Sequence, residues 1–331
     1  MNTTITVGII GATGLVGSEI GQCLSESNIS QDVEFKLFAS ADSEGEVYNI
    51  RGQEVVVGVL GEDAYKGLNV AIFALKQDLA KKEIKKALKN GAYVIDTSTA
   101  YQADGDGKLV HSTLNPECIT ADTKHYVIPS PAACQIAVVT KKLLSLNKIK
   151  NISTTTIASV SSAGKVALDE LWSQTISVCN HKAVTPEAFA HQIAFNVTAQ
   201  VDTVLENGFT KEESSIQNEV SILTGLNCIN TFVRVPVFMC YGTSATFYFD
   251  KAAPSVEEAC KALGDVKEVA LHTDSEEPLQ FLDSAGSDSL HIGRIRTLEN
   301  SLSCWIVSDN LRQGAAIPAV KVLEILLKVM V

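Results

Sequence analysis

Gly11-Ala12-Thr13-Gly14-Leu15-Val16-Gly17 stands between an apolar, β-branched run at residues 6–10 and a stretch of helical apolar spacing at residues 16–24. Strand, glycine turn and helix in that order are what make a glycine pattern a dinucleotide-binding turn. Gly11 permits the sharp turn, Gly14 lets a pyrophosphate approach the backbone, and Gly17 lets the helix sit close to the sheet with its first N–H groups facing the anion. Outward from it, residues 35–39, 70–74 and 93–95 read as strands and 79–88 as a helix. This alternation belongs to a parallel sheet with crossover helices, a Rossmann-type, doubly wound α/β fold.

After residues 127–128 the pattern changes. A helix-like stretch at 134–146 precedes a β-branched run at 152–160, and helices at 188–205 and 211–224 precede strands at 231–238 and 245–249. The apolar segment 315–331 follows Gly314 at helical spacing and is expected to pack back on the first domain. A chain of 331 residues, 46% hydrophobic, holds about two domains. The expected division is 1–130 with 310–331, and 131–309.

The net charge of −11 repels phosphate backbones and anionic lipid, which argues against nucleic-acid and membrane partners. No leader-like segment precedes the first strand and no run approaches the roughly 20 apolar residues of a membrane span, so a cytoplasmic protein is expected. Eight cysteines are scattered without CxxC or Cys/His spacing, which reads as reduced thiols and no metal site.

Discrimination between cofactors belongs to the end of the second strand, Ala39-Ser40-Ala41-Asp42-Ser43-Glu44. A carboxylate there accepts from a ribose 2′-hydroxyl and repels a 2′-phosphate, so Asp42 favours NAD over NADP. A solvated acidic loop residue is the alternative.

The chain resembles the aspartate-semialdehyde dehydrogenase family nearly end to end. Residues 94–101 (VIDTSTAY) are similar to its VIDNSSAF, 159–164 (SVSSAG) to its AVSGAG, and 191–197 (HQIAFNV) to its IAFN segment. Residues 209–213 (FTKEE), 233–237 (VRVPV), 293–296 (GRIR) and 309–316 (DNLRQGAA) are similar to YTKEE, VRVPV, GRIR and DNLRKGAA. The resemblance implies a homodimer formed through an α+β dimerisation and substrate domain. It also implies NAD or NADP bound by the first domain, and a thiolate that attacks an aldehyde before phosphate releases the acyl group. The implied cofactor contacts are Gly11, Thr13, Gly14, Leu15, Val16, Gly17, Ser40, Asp42, Asn310 and Gly314.

The catalytic set departs from that pattern. Around Pro129-Ser130-Pro131-Ala132-Ala133-Cys134-Gln135 the nucleophile position falls on Pro131 or on Ala133, and Cys134 reaches it only with an insertion. Cys134 is the candidate nucleophile, with a small buried core residue as the alternative. Ala158 stands for the orienting glutamine and Thr243 for the acid/base histidine, while His191 and His291 read as packing or surface residues. Arg234 matches the arginine that holds the substrate carboxylate, or makes a structural ion pair. Gln102 and Ser215 replace phosphate-site cations, Thr97 an asparagine, Lys76-Gln77 a glycine pair, and Asp42 and Glu46 an arginine and a lysine. The expectation is a dimeric binding or regulatory paralogue with a residual NAD(P) site and a small-molecule ligand. An active semialdehyde dehydrogenase using Cys134 is the alternative.

Overall fold

The computed structural model describes residues 4–29, 32–101, 107–274 and 276–330. The chain divides into two compact units, residues 1–130 with 315–331, and residues 131–314.

The first unit is an eight-stranded sheet in the order β3-β4-β2-β1-β5-β6-β8-β7. Its strands are β1 (Ile5–Ile10), β2 (Val33–Ala39), β3 (Val47–Ile50), β4 (Gln53–Val59), β5 (Val70–Phe73), β6 (Tyr93–Asp96), β7 (Lys108–Leu109) and β8 (His125–Val127). All pairs are parallel except β3 with β4. β5 is buried at every position, as expected of a central parallel strand covered on both faces. The helices are α1 (Leu15–Glu26), α2 (Gln77–Lys89) and the carboxy-terminal α7 (Ile317–Val329). α7 brings Ala319, Val322, Leu323 and Leu326 into the same core as Val7, Ile9, Ile20 and Ile72. Each such leucine or isoleucine contributes about 2 kcal/mol by leaving water, which ties the last segment of the chain to the first.

The second unit is a six-stranded sheet, β10-β9-β11-β14-β13-β12. Its strands are β9 (Ile149–Ala158), β10 (Cys228–Arg234), β11 (Tyr241–Phe249), β12 (Val269–His272), β13 (Leu290–Leu298) and β14 (Ser301–Ser308). Its helices are α3 (Pro131–Leu144), α4 (Lys165–Cys179), α5 (Lys211–Thr224) and α6 (Val256–Gly264). α3 is buried from Ala132 to Thr140 and packs on α5, α6 and β11. An apolar helix without a polar stripe is a central helix.

Two expectations change here. Residues 188–205 form no helix. Gln174 Oε1 accepts from the amides of Ile193 and Ala194 at 2.8 and 3.1 Å, and Thr198 exchanges backbone hydrogen bonds with Arg234, so these groups are satisfied without helical partners. The return to the first unit comes at 315 rather than 310. The Asp309 carboxylate accepts from the amides of Gly286, Leu311 and Arg312, and Arg312 pairs with Asp288, which anchors 309–312 in the second unit.

Candidate functional site

In the first unit the glycine turn is built by contacts that exclude other residues. Gly11 has φ +90°, and a Cβ on it would lie 2.5 Å from Ala74 O. A Cβ on Gly17 would lie 2.0 Å from Gly11 O, so only glycine brings α1 this close to the turn. Gly14 is exposed, its added Cβ would meet nothing nearer than 3.4 Å, and it caps α1 with no side-chain hydrogen bond and no acidic residue in the first turn. An uncapped helix start over a glycine turn suits a phosphate group. Leu15 and Val16 open α1 half-buried; Thr13 Oγ1 meets Ser43 Oγ at 3.1 Å, and Ser40 and Asp42 lie exposed on the loop after β2.

The far side of this cleft is laced together. The Thr97 amide and Oγ1 both donate to Phe73 O, at 3.0 and 2.8 Å. Gln77 Nε2 donates to Thr99 Oγ1 at 2.8 Å, and Tyr101 Oη to Lys81 O at 3.1 Å. Thr99 has φ +62°, a left-handed conformation strained for a β-branched residue. Gln102 lies outside the described residues.

In the second unit Arg234, at the end of β10, is buried. Its Nη1 donates to Ser162 Oγ at 3.0 Å and to Ser159 O at 3.4 Å, and its guanidinium carbon lies 5.5 Å from the centre of the Phe189 ring. Glu212 is half-buried in the first turn of α5; burial pushes its carboxyl up, Arg234 opposes that, Asp202 adds to it and Lys211 opposes. Tyr241 opens β11. Burial pushes its hydroxyl up to about 12, with Glu212 adding to the shift and the Ser162 hydrogen bond and Arg234 opposing it. Guanidinium, carboxyl and phenol thus share one neighbourhood, a set that can hold a small ligand bearing both a carboxylate and an ammonium.

Glu213, next to Glu212, is structural. It completes a capping box with Thr210, and its Oε1 accepts from the amide of Phe232 at 3.0 Å.

Cys134 sits in the first turn of α3, 1% exposed. Burial pushes its thiol well above the usual range, and the carboxylates of Glu219 and Glu268 push it further. A nucleophilic thiolate needs the opposite surroundings, electropositive and accessible. Ala133 is fully buried as well. Ala158 is buried at the end of β9, where its carbonyl accepts from Val235. Thr243 belongs to a buried hydrogen-bond network, donating to Gln135 Oε1 at 2.6 Å and meeting Thr156 Oγ1 at 3.2 Å. His191 is exposed, and His291 is hydrogen-bonded to His272 and Ser287 at 2.9 Å each.

Asn310 and Gly314 belong to the second unit, not to the dinucleotide-binding unit in which the sequence reading put them. Asn310 Oδ1 accepts from Ser161 Oγ, Ser159 Oγ and the amide of Cys240, at 3.0, 3.3 and 2.9 Å. A Cβ on Gly314 would lie 2.6 Å from Pro131 Cβ, so glycine here serves close packing against the start of α3.

Glu212, Tyr241, Ser162 and Phe189 escaped the sequence reading. The residue before Tyr241, Cys240, has φ +75°, a conformation that favours glycine and that no residue type in the sequence announces. Among the described residues no group of three or more His, Cys, Asp or Glu side chains could hold a metal, and no helix is long and apolar enough to cross a membrane.

Residues 6–121 match the semialdehyde dehydrogenase NAD binding domain, and residues 141–313 the semialdehyde dehydrogenase dimerisation domain. The chain is 35% identical to the aspartate-semialdehyde dehydrogenase of Aquifex aeolicus, covering 97% of this chain and 98% of that one. It is 31% identical to the Bacillus subtilis enzyme, with 99% of each covered. Its fold is similar to the crystal structure of aspartate semialdehyde dehydrogenase II from Vibrio cholerae, with a TM-score of 0.92 at 31% identity over 98% of this chain and 99% of that one.

Proposed function

The chain belongs to the aspartate-semialdehyde dehydrogenase family, and from that premise we propose that it is a dimeric binding or regulatory member without the phosphate-dependent, NADP-linked dehydrogenase reaction. One observation carries this reading: the cysteine nearest the nucleophile position, Cys134, is buried, and its surroundings hold the thiol neutral. Covalent attack on an aldehyde needs a thiolate, and losing one member of such a catalytic set costs several orders of magnitude in rate.

The same reading assigns the acid/base position. Gly242-Thr243-Ser244 matches the family's GHS segment by residue type, but Thr243 is tied into a buried hydrogen-bond network while Tyr241 lies in the neighbourhood of Arg234 and Glu212. Tyr241 rather than Thr243 then stands for the histidine. A phenol pushed up to about 12 does not exchange protons near neutrality and acts as a fixed hydrogen-bond donor.

The ligand this supports is a small amino acid, its carboxylate on the Arg234 guanidinium and its ammonium on Glu212. The nucleotide it supports has a free ribose 2′-hydroxyl, because Asp42 stands exposed after β2 and a carboxylate there repels a 2′-phosphate.

Protein supplied with aspartate semialdehyde, phosphate and NADP is expected to form no NADPH above the blank. Phosphate-dependent NADPH formation that disappears in Cys134→Ser would reverse the reading. Calorimetric binding of aspartate that is lost in Arg234→Ala is the positive result expected of the ligand site.

A further inference from the structure

We infer that the cleft of the first unit recognises the adenosine diphosphate part of a nucleotide and gains no affinity from a nicotinamide ribose, because its own side chains close the second half. The inference rests on the nucleotide-binding reading above and specifies what that site selects.

An open doubly wound sheet takes a dinucleotide across the crevice where strand order reverses, one nucleotide over each half of the sheet. Here the reversal lies between β1 and β5. On the β1 side the turn is bare: Gly14 is exposed, α1 has no side-chain cap, and the Ser40–Asp42 loop is open to solvent.

The β5 side differs in three ways. First, Leu75 leans on the turn, its Cδ2 lying 2.9 Å from where a Cβ on Gly11 would be, so an isobutyl group borders the crevice at the reversal point. Second, α2 begins directly after β5 with Lys76 as its cap and Gln77 as its first residue. Small residues there would offer only backbone; these offer two long side chains. Third, the loop after β6 is bound onto this segment by the hydrogen bonds of Thr97 to Phe73, Gln77 to Thr99 and Tyr101 to Lys81.

The middle bond of the three matters most. Thr99 stands in the left-handed region, where a β-branched residue stays only if its surroundings hold it. The Gln77 amide supplies such a hold. A nicotinamide ribose entering over β5 and β6 has to break that bond and displace Leu75, so its own contacts are offset. Adenosine diphosphate on the β1 side leaves the Gln77–Thr99 bond intact.

The test is titration calorimetry of the full-length protein with ADP, ADP-ribose and NAD. Wild-type protein is expected to bind all three with dissociation constants within about threefold, under 1 kcal/mol apart. In Gln77→Gly the NAD affinity is expected to rise about tenfold relative to ADP, with ADP itself unchanged. Thr99→Gly removes the acceptor, tolerates the left-handed backbone and is expected to move the ratio in the same direction, which guards against a fold defect in the Gln77 variant. Wild-type protein binding NAD more than about tenfold tighter than ADP overturns the inference while leaving the nucleotide reading intact. An NAD-to-ADP ratio unmoved in both variants overturns it too. Binding of none of the three ligands removes the nucleotide reading itself, and this inference with it.

Discussion

Asn310 Oδ1 accepts a hydrogen bond from the backbone amide of Cys240, 2.9 Å away, and so fixes the left-handed residue that precedes Tyr241. The same oxygen holds the hydroxyls of Ser159 and Ser161, in the segment that also gives Arg234 its partners Ser159 O and Ser162 Oγ. One buried amide therefore sets the geometry of two strand ends that the ligand site depends on.

Replacing it tests that dependence. Asn310→Ala removes the acceptor of the Cys240 amide and leaves the Ser159 and Ser161 hydroxyls only each other as partners, and stability is expected to fall by about 2 kcal/mol. Urea denaturation monitored by far-ultraviolet circular dichroism measures it. A loss below about 0.5 kcal/mol, the ordinary level for a surface change, would remove Asn310 from this role.

The glycine turn separates folding from binding. Gly17→Ala places a methyl 2.0 Å from Gly11 O, and destabilisation of about 3 kcal/mol is expected from the forced shift. Gly14→Ala meets nothing nearer than 3.4 Å and costs about 1 kcal/mol or less, yet it puts a methyl where a phosphate would approach. Nucleotide affinity should fall in both variants while melting temperature falls substantially only in the first.

Alkaline stability follows from the buried thiols. Burial pushes Cys134 well above 9.0, and Cys228 and Cys304 to about 12. The unfolded chain releases these protons as pH rises past about 9 and the folded chain does not, so their stabilising contribution is complete below the unfolded value and lost as pH climbs toward the folded values. Each contributes a slope of up to about 1.4 kcal/mol per pH unit in that window. Denaturant midpoints should be flat in this respect from pH 7 to 8 and fall above 9, with a shallower fall in Cys134→Ala. An unchanged slope in that variant would mean the thiol is not held neutral.

Self-association has a candidate surface in the second unit. Trp172, Phe195, Val197 and Val166 are 61%, 66%, 61% and 59% exposed, on α4 and the following loop, and such a concentration of large apolar side chains marks a contact surface. Light scattering at micromolar concentration should give the dimer mass. The double substitution Trp172→Glu with Phe195→Glu should give the monomer mass with the circular dichroism spectrum retained. A wild-type monomer would end the dimer reading.

Much of the fold was legible in the sequence because its signals are local. The glycine turn of 11–17 declares its strand and helix through spacing alone. The segment 188–205 has apolar spacing that suits a helix, yet it forms none. A side chain from another helix, Gln174, satisfies the amides of Ile193 and Ala194 instead, and no local pattern records that.

By itself the sequence determined the two-domain family architecture and the phosphate-type turn. Those features depend on residue type and on spacing within single elements. Only the tertiary structure decided that Cys134 faces Glu219 and Glu268 in a desolvated core, that Tyr241 joins Arg234 and Glu212, and that Asn310 works in the second unit. The physical reason is that burial and charge proximity belong to pairs of residues far apart in the chain. A thiol's ionisation or a strained φ is set by what the fold places around it.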